Sequence, residues 1–166
     1  MASRRTKPKP KPVRVGILTG SPSDLPTVNK AVEVLQALGV GCELKVLSAH
    51  RTPERVHRYV ATAEGRGIEV LIACAGMANH LAGTVAAQTM LPVIGVPLSS
   101  GSIDGLDALL STVQMPPGIP VGTVGIDGSK NAAYLAARIL ARRDKRLAKA
   151  LTRDLDKQRE RYDDVD

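Results

Sequence analysis

Five apolar, β-branched runs punctuate this chain, at 13–19, 42–47, 68–75, 93–96 and 121–126, and each leads into a stretch whose apolar residues recur every three or four positions. A run that is apolar on both faces suits a strand covered by helices above and below. A helix after each strand carries the chain back so that the next strand lies parallel to it. The alternation therefore predicts an α/β protein with a doubly wound parallel sheet and right-handed crossovers. At 166 residues the chain suffices for one substantial core and is short for two ordinary domains.

The helical patterns supply their own stops. Leu25, Val28, Val32, Leu35 and Leu38 share one face, Pro26 sits in the first turn, Ser23 or Asp24 is the expected cap, and Gly39 ends the helix. A second helix starts at Pro53, carries Val56, Val60 and Ala63 on one side and closes at Gly65 or Gly67. Further helices are expected near 79–89, 106–113 and from about Asn131. The strand order expected from this succession is flavodoxin-like. With no Phe or Trp, the core is built from Ala, Val, Leu and Ile, and a platform for stacking bases is missing.

The ends differ from the body. Residues 1–12 hold five positive charges and no negative ones, 13–140 hold nine of each sign, and 141–166 hold nine positive and seven negative. The formal net charge of +7 thus comes from the ends, which argues against a basic nucleic-acid-binding face on the domain. Lys7 to Pro12 alternates lysine with proline, which forbids helix and central strand, so 1–12 reads as a disordered leader. A single domain is expected over 13–141. Beyond it, 142–166 reads as a charged helical extension with a thin stripe of Leu147, Leu151 and Leu155, which needs a partner surface, expected on a neighbouring subunit. The leader lacks an apolar segment and no long apolar run follows, so no membrane segment is expected and the cytoplasm is the expected location. Cys42 and Cys74 fall in strand-like runs without metal-ligand spacing and read as small core residues.

Function is expected where the strands end. Gly20-Ser21-Pro22-Ser23-Asp24 joins the first strand to its helix and offers a tight turn, hydroxyls, backbone N–H groups and a carboxylate. It reads either as a capped helix start or as a loop holding a phosphorylated sugar, with Asp24 accepting from ribose hydroxyls. It is neither a Walker loop nor a dinucleotide fingerprint. Ser48-Ala49-His50-Arg51-Thr52-Pro53 sets a titratable imidazole beside a permanent cation, a pairing for proton transfer next to an anion, although a surface or capping histidine has the same appearance. His80, in the Gly76–Gly83 loop, either contacts a ligand or orients the loop, while His57 reads as a surface residue. No histidine spacing suggests a metal.

These segments, with Leu91-Pro-Val-Ile-Gly-Val-Pro97 and Val113-Gln-Met-Pro-Pro-Gly-Ile-Pro120, resemble the N5-carboxyaminoimidazole ribonucleotide mutases of purine biosynthesis, in order across about residues 13–141. The resemblance implies a flavodoxin-like three-layer α/β/α sandwich with a five-stranded parallel sheet, a homo-octamer, and no metal or organic cofactor. It implies movement of a carboxylate from the exocyclic N5 of the ribonucleotide to C4 of its imidazole, through loss and recapture of CO2. His50 matches the proton-carrying imidazole. Ser21, Asp24 and Arg51 match nucleotide-binding positions with Ser23 and Ser48 beside them, and Gly76, His80 and Leu81 match the loop lining the reaction centre.

The chain departs from the family's common pattern at Met77, Asn79 and Ala82, has a shorter segment at 127–131, and its extension lies outside the resemblance. The rival readings are a related aminoimidazole ribonucleotide carboxylase that takes CO2 directly, a non-catalytic nucleotide-binding module, and a nucleic-acid partner held by the leader. Relatives of the first kind generally have Lys where this chain has Arg51, which favours the mutase.

Overall fold

A computed structural model describes residues 11–163, so most of the expected leader lies outside the described residues. Strands β1 (Val13–Thr19), β2 (Gly41–Val46), β3 (Val70–Gly76), β4 (Val93–Leu98) and β5 (Gly122–Thr123) form one sheet in the order β2-β1-β3-β4-β5. Every pairing is parallel. This is the flavodoxin-like order that the alternating pattern predicts.

Period-two alternation assigns each strand residue to a layer. Val15, Ile17, Val70, Ile72 and Cys74 face α1 (Leu25–Ala37) and α5 (Ser129–Ala141), where Val28, Leu35 and a stripe of alanines complete one half of the core. Leu18, Leu71 and Ala73 face α2 (Pro53–Ala63) and α3 (His80–Ala86), meeting Val56, Val60, Leu81 and Val85. Helix α4 (Leu106–Val113) packs along β4 and α3. The small alanines of α5 let that helix lie close to the sheet without aromatic filler.

Several local expectations need correction. Neither Ser23 nor Asp24 caps α1 with its side chain; Ser21 instead caps a 3-10 turn over Pro22–Asp24 by accepting from the Ser23 backbone N–H. The last strand is two residues rather than six: past Thr123 the pairing becomes irregular, although the Val124 N–H still reaches the Gly95 carbonyl and the Asp127 N–H the Pro97 carbonyl. Helix α3 stops at Ala86, where Gln88 donates its side-chain amide to the Thr84 carbonyl and the chain turns toward β4.

The C-terminal stripe also differs from expectation. Residues Lys145–Asp163 form one helix, α6, which packs on α5 of its own chain. Leu147 is only 4% exposed and belongs to the same cluster as Leu38, Val40 and Leu140, with Ala150 and Leu151 packed against it. The inner part of the stripe is therefore dry without a neighbouring subunit, and Leu155 alone of its three leucines is exposed.

Candidate active site

At the carboxyl ends of β1, β2 and β3 three loops converge on one cavity of about 330 Å³. Helices after these strands turn back beneath the sheet, so only the connecting loops remain to wall the crevice. Ser21, Ser23 and Asp24 come from the first loop, Ser48, His50 and Arg51 from the second, and Gly76 and Leu81 from the third. His80 joins through His50: His50 Nε2 and His80 Nδ1 are 2.8 Å apart, and the rings meet edge to face at 87°.

The first loop is a polar relay. Ser23 Oγ donates to Asp24 Oδ1 at 3.3 Å, which commits its one proton. The two serine hydroxyls share a 2.8 Å hydrogen bond. Thr19 Oγ1 donates to Asp24 Oδ2 at 3.0 Å from the last residue of β1 and fixes the carboxylate from below. A carboxylate has about four lone-pair sites, so Asp24 retains capacity for hydroxyls of a ligand.

The second loop is self-braced. Thr52 Oγ1 accepts from the Ser48 backbone N–H at 3.0 Å and donates to the Ser48 carbonyl at 3.1 Å, while Ser48 Oγ accepts from the Arg51 backbone N–H at 3.2 Å. Pro53 then opens α2 at a position that needs no N–H donor. Held at both ends, the loop presents His50 and Arg51 outward, and both side chains are exposed.

In the third loop Gly76 is obligatory. A Cβ there would lie 1.8 Å from Ser100 Oγ and 3.2 Å from the Leu98 carbonyl oxygen, so only glycine lets the β4 loop close this wall. Ser100 lines the cavity and was not singled out from sequence. Its position just past an apolar strand is the signal that could have found it. Thr19 was missed too, since it reads as the end of a strand.

Cys74 lies in β3 behind the loops, fully buried. Burial, then the negative charge of Asp24, push its thiol well above the usual range, so it is a packing residue rather than a nucleophile. His57 is exposed and hydrogen-bonds Gln88 Oε1 at 2.7 Å, away from the cavity. Among the described residues no group of three or more His, Cys, Asp or Glu is placed to hold a metal ion.

A flavodoxin-like sheet with hydroxyls, a carboxylate, a guanidinium and paired imidazoles at its strand ends has the form of a small-molecule enzyme. The family model described as AIR carboxylase matches residues 14–161, beyond the span of the resemblance and into α6. An N5-carboxyaminoimidazole ribonucleotide mutase of Pyrococcus abyssi is 64% identical over 128 residues, covering 77% of this chain and 74% of that protein. One of Pyrococcus horikoshii is 60% identical over 126 residues, covering 76% and 71%. The crystal structure of Treponema denticola PurE superimposes with a TM-score of 0.82 at 32% identity, covering 89% of this chain and 92% of that one. The chain belongs to the AIR carboxylase family.

Proposed function

We propose that this chain is an N5-carboxyaminoimidazole ribonucleotide mutase of purine biosynthesis, with His50 as the proton carrier. The observation that carries the reading is the His50–His80 contact at the rim of a cavity walled by Ser21, Ser23, Asp24, Ser48, Arg51, Gly76 and Leu81. Arg51 and the serine hydroxyls suit the phosphate, and Asp24 suits ribose hydroxyls. Most binding energy then comes from the ribose phosphate, remote from the bonds that change.

The reaction balances with one proton carrier. Cleavage of the N5–carboxylate bond releases CO2 and needs a proton on N5, which His50 gives. Formation of the C4–carboxylate bond releases the C4 proton, which His50 takes back. No electrons leave the substrate, and small residues, Ala49, Ala75, Gly76 and Ala78, leave room at the cavity floor for CO2 beside C4.

The protein is proposed to work in the cytoplasm as a homo-octamer. Among the described residues no helix is long and apolar enough to cross a membrane. Leu106, Leu110 and Val113 form an outward stripe on α4, each about half exposed, which favours self-association.

The deciding experiment supplies pure protein with N5-carboxyaminoimidazole ribonucleotide and, separately, with aminoimidazole ribonucleotide plus bicarbonate. The mutase turns over the first at low bicarbonate. Turnover of the second alone identifies a carboxylase, and turnover of neither identifies a binding module.

A further inference from the structure

Asn79 occupies the N-cap position of α3, where an asparagine ordinarily accepts a hydrogen bond from the first turn. Here it makes no such bond. Its side chain is fully buried instead, and Nδ2 donates to Thr112 Oγ1 at 2.9 Å and to the Val96 carbonyl at 3.4 Å. The amide orientation follows from its partners: the carbonyl only accepts, and Thr112 has committed its proton to the Ala108 carbonyl at 2.6 Å. Asn79 Oδ1 is left buried without a donor.

An asparagine that forgoes its cap and buries an orphan acceptor is a poor choice for stability alone. Its backbone is tied as well, since the Asn79 N–H donates to Ser111 Oγ at 2.9 Å. Ser111 and Thr112 are consecutive residues of α4, and neither lines the cavity. Thr112 in turn packs on bare backbone of β4, where a Cβ on Gly95 would lie 2.3 Å from Thr112 Cγ2. The next residue after Asn79 is His80, whose Nδ1 meets His50.

We infer that Asn79, clipped to Ser111 and Thr112 of α4, is a positioning residue that holds His80 against His50 and so sets the geometry of proton transfer. This rests on the proposed mutase reading for its kinetic consequence and on the hydrogen bonds of Asn79 for its structural one. The clip fixes the loop from behind through a rigid helix. Deleting it loosens His80 while leaving the first two loops untouched, and because His80 acts by orienting His50, the loss is bounded by the cost of removing His80, about tenfold.

The test compares Asn79→Ala, Thr112→Val and Thr112→Ser in the full chain. Asn79→Ala and Thr112→Val are expected to lower kcat about three- to tenfold, no more than the loss of His80 itself, with KM within about twofold, and Thr112→Ser to keep the wild-type kcat. Asn79→Ala also removes the orphan oxygen, so its melting temperature is expected to change little. Unchanged kcat in Asn79→Ala and Thr112→Val overturns the inference. Should Asn79→Ala fail to fold, Thr112→Val against Thr112→Ser decides.

Inactive wild-type protein would instead remove the mutase reading. Crystal structures of wild type and Asn79→Ala then judge the clip: loss of the 2.8 Å His50–His80 contact supports it, and an unchanged contact refutes it.

Discussion

His50 Nε2 and His80 Nδ1 face each other at 2.8 Å although thirty residues separate them in sequence. An N–H···N bond needs a proton on one nitrogen and a lone pair on the other, so each ring constrains how the other can turn. The contact ties the orientation of the His50 ring to His80.

The first expectation concerns that pair. His50→Asn should lower turnover about 10²- to 10⁴-fold, the range for loss of a general acid–base group, while product affinity by calorimetry stays within about threefold. His80→Asn should lower turnover by less, about tenfold, because it orients rather than carries. Full activity of His50→Asn would remove the proton-carrier role.

The Gly76–Ser100 contact makes a second prediction. Gly76→Ala places a methyl where Ser100 Oγ stands, and kcat/KM should fall at least about tenfold as the β4 loop is displaced. Adding Ser100→Gly should restore part of the loss, since the Leu98 carbonyl, at 3.2 Å from the same Cβ, still has to yield. A double-mutant cycle on kcat/KM measures the coupling. Strict additivity would show that this contact does not shape the cavity.

Away from the site, Tyr59 Oη donates to Glu43 Oε1 at 2.8 Å, Arg66 pairs with the same carboxylate, and its Cζ lies 4.6 Å from the centre of the Tyr59 ring. Burial alone would raise Glu43, but the hydrogen bonds from Arg66 and Tyr59 prevail and hold the carboxyl below its ordinary value of 4.5. A carboxylate depressed in the folded state stabilises above its unfolded value, and that contribution is lost as pH falls from about 4.5 through the folded value. Glu43→Gln should therefore cost about 1–2 kcal/mol at neutral pH and flatten the acid limb of the stability curve. Denaturant unfolding across pH 7 to about 3.5 checks both; an unchanged acid limb would place the titration elsewhere.

The strand order was legible because each buried strand and each amphipathic helix announces its own period, and the crevice was locatable because the loops of a parallel sheet gather at its strand ends. Local hydrogen bonding was not. Ser21, Ser23 and Asp24 are all good cap residues, and only three-dimensional geometry decides that Ser21 caps the 3-10 turn while Asp24 takes the Thr19 proton. The Glu43–Tyr59–Arg66 cluster joins a strand, a helix and a turn, and depends on Gly16, where a Cβ would lie 2.4 Å from Tyr59 Oη. The tie from Asn79 to Thr112 spans 33 residues, so nothing in either neighbourhood predicts it.

The leucine stripe of α6 shows the same gap and yields the last prediction. Leucines spaced by four identify a face but not what covers it. Asp144 accepts from the backbone N–H groups of Arg146 and Leu147 and from Arg14 Nη1 at 2.9 Å, which anchors the start of α6 to β1 of its own chain. Farther along, Tyr134 of α5 donates to Asp154 at 2.7 Å. Leu147→Ala should then destabilise by about 2–4 kcal/mol at fixed protein concentration, the range for a buried leucine, whereas Leu155→Ala, at an exposed position, should stay below about 1 kcal/mol. Neither should change the assembly mass by light scattering, because the contacts of Leu147 lie within one chain. If Leu155→Ala were the more damaging and also shifted the mass, the outer stripe would be seated on a second subunit, and self-packing would account only for the first two turns of α6.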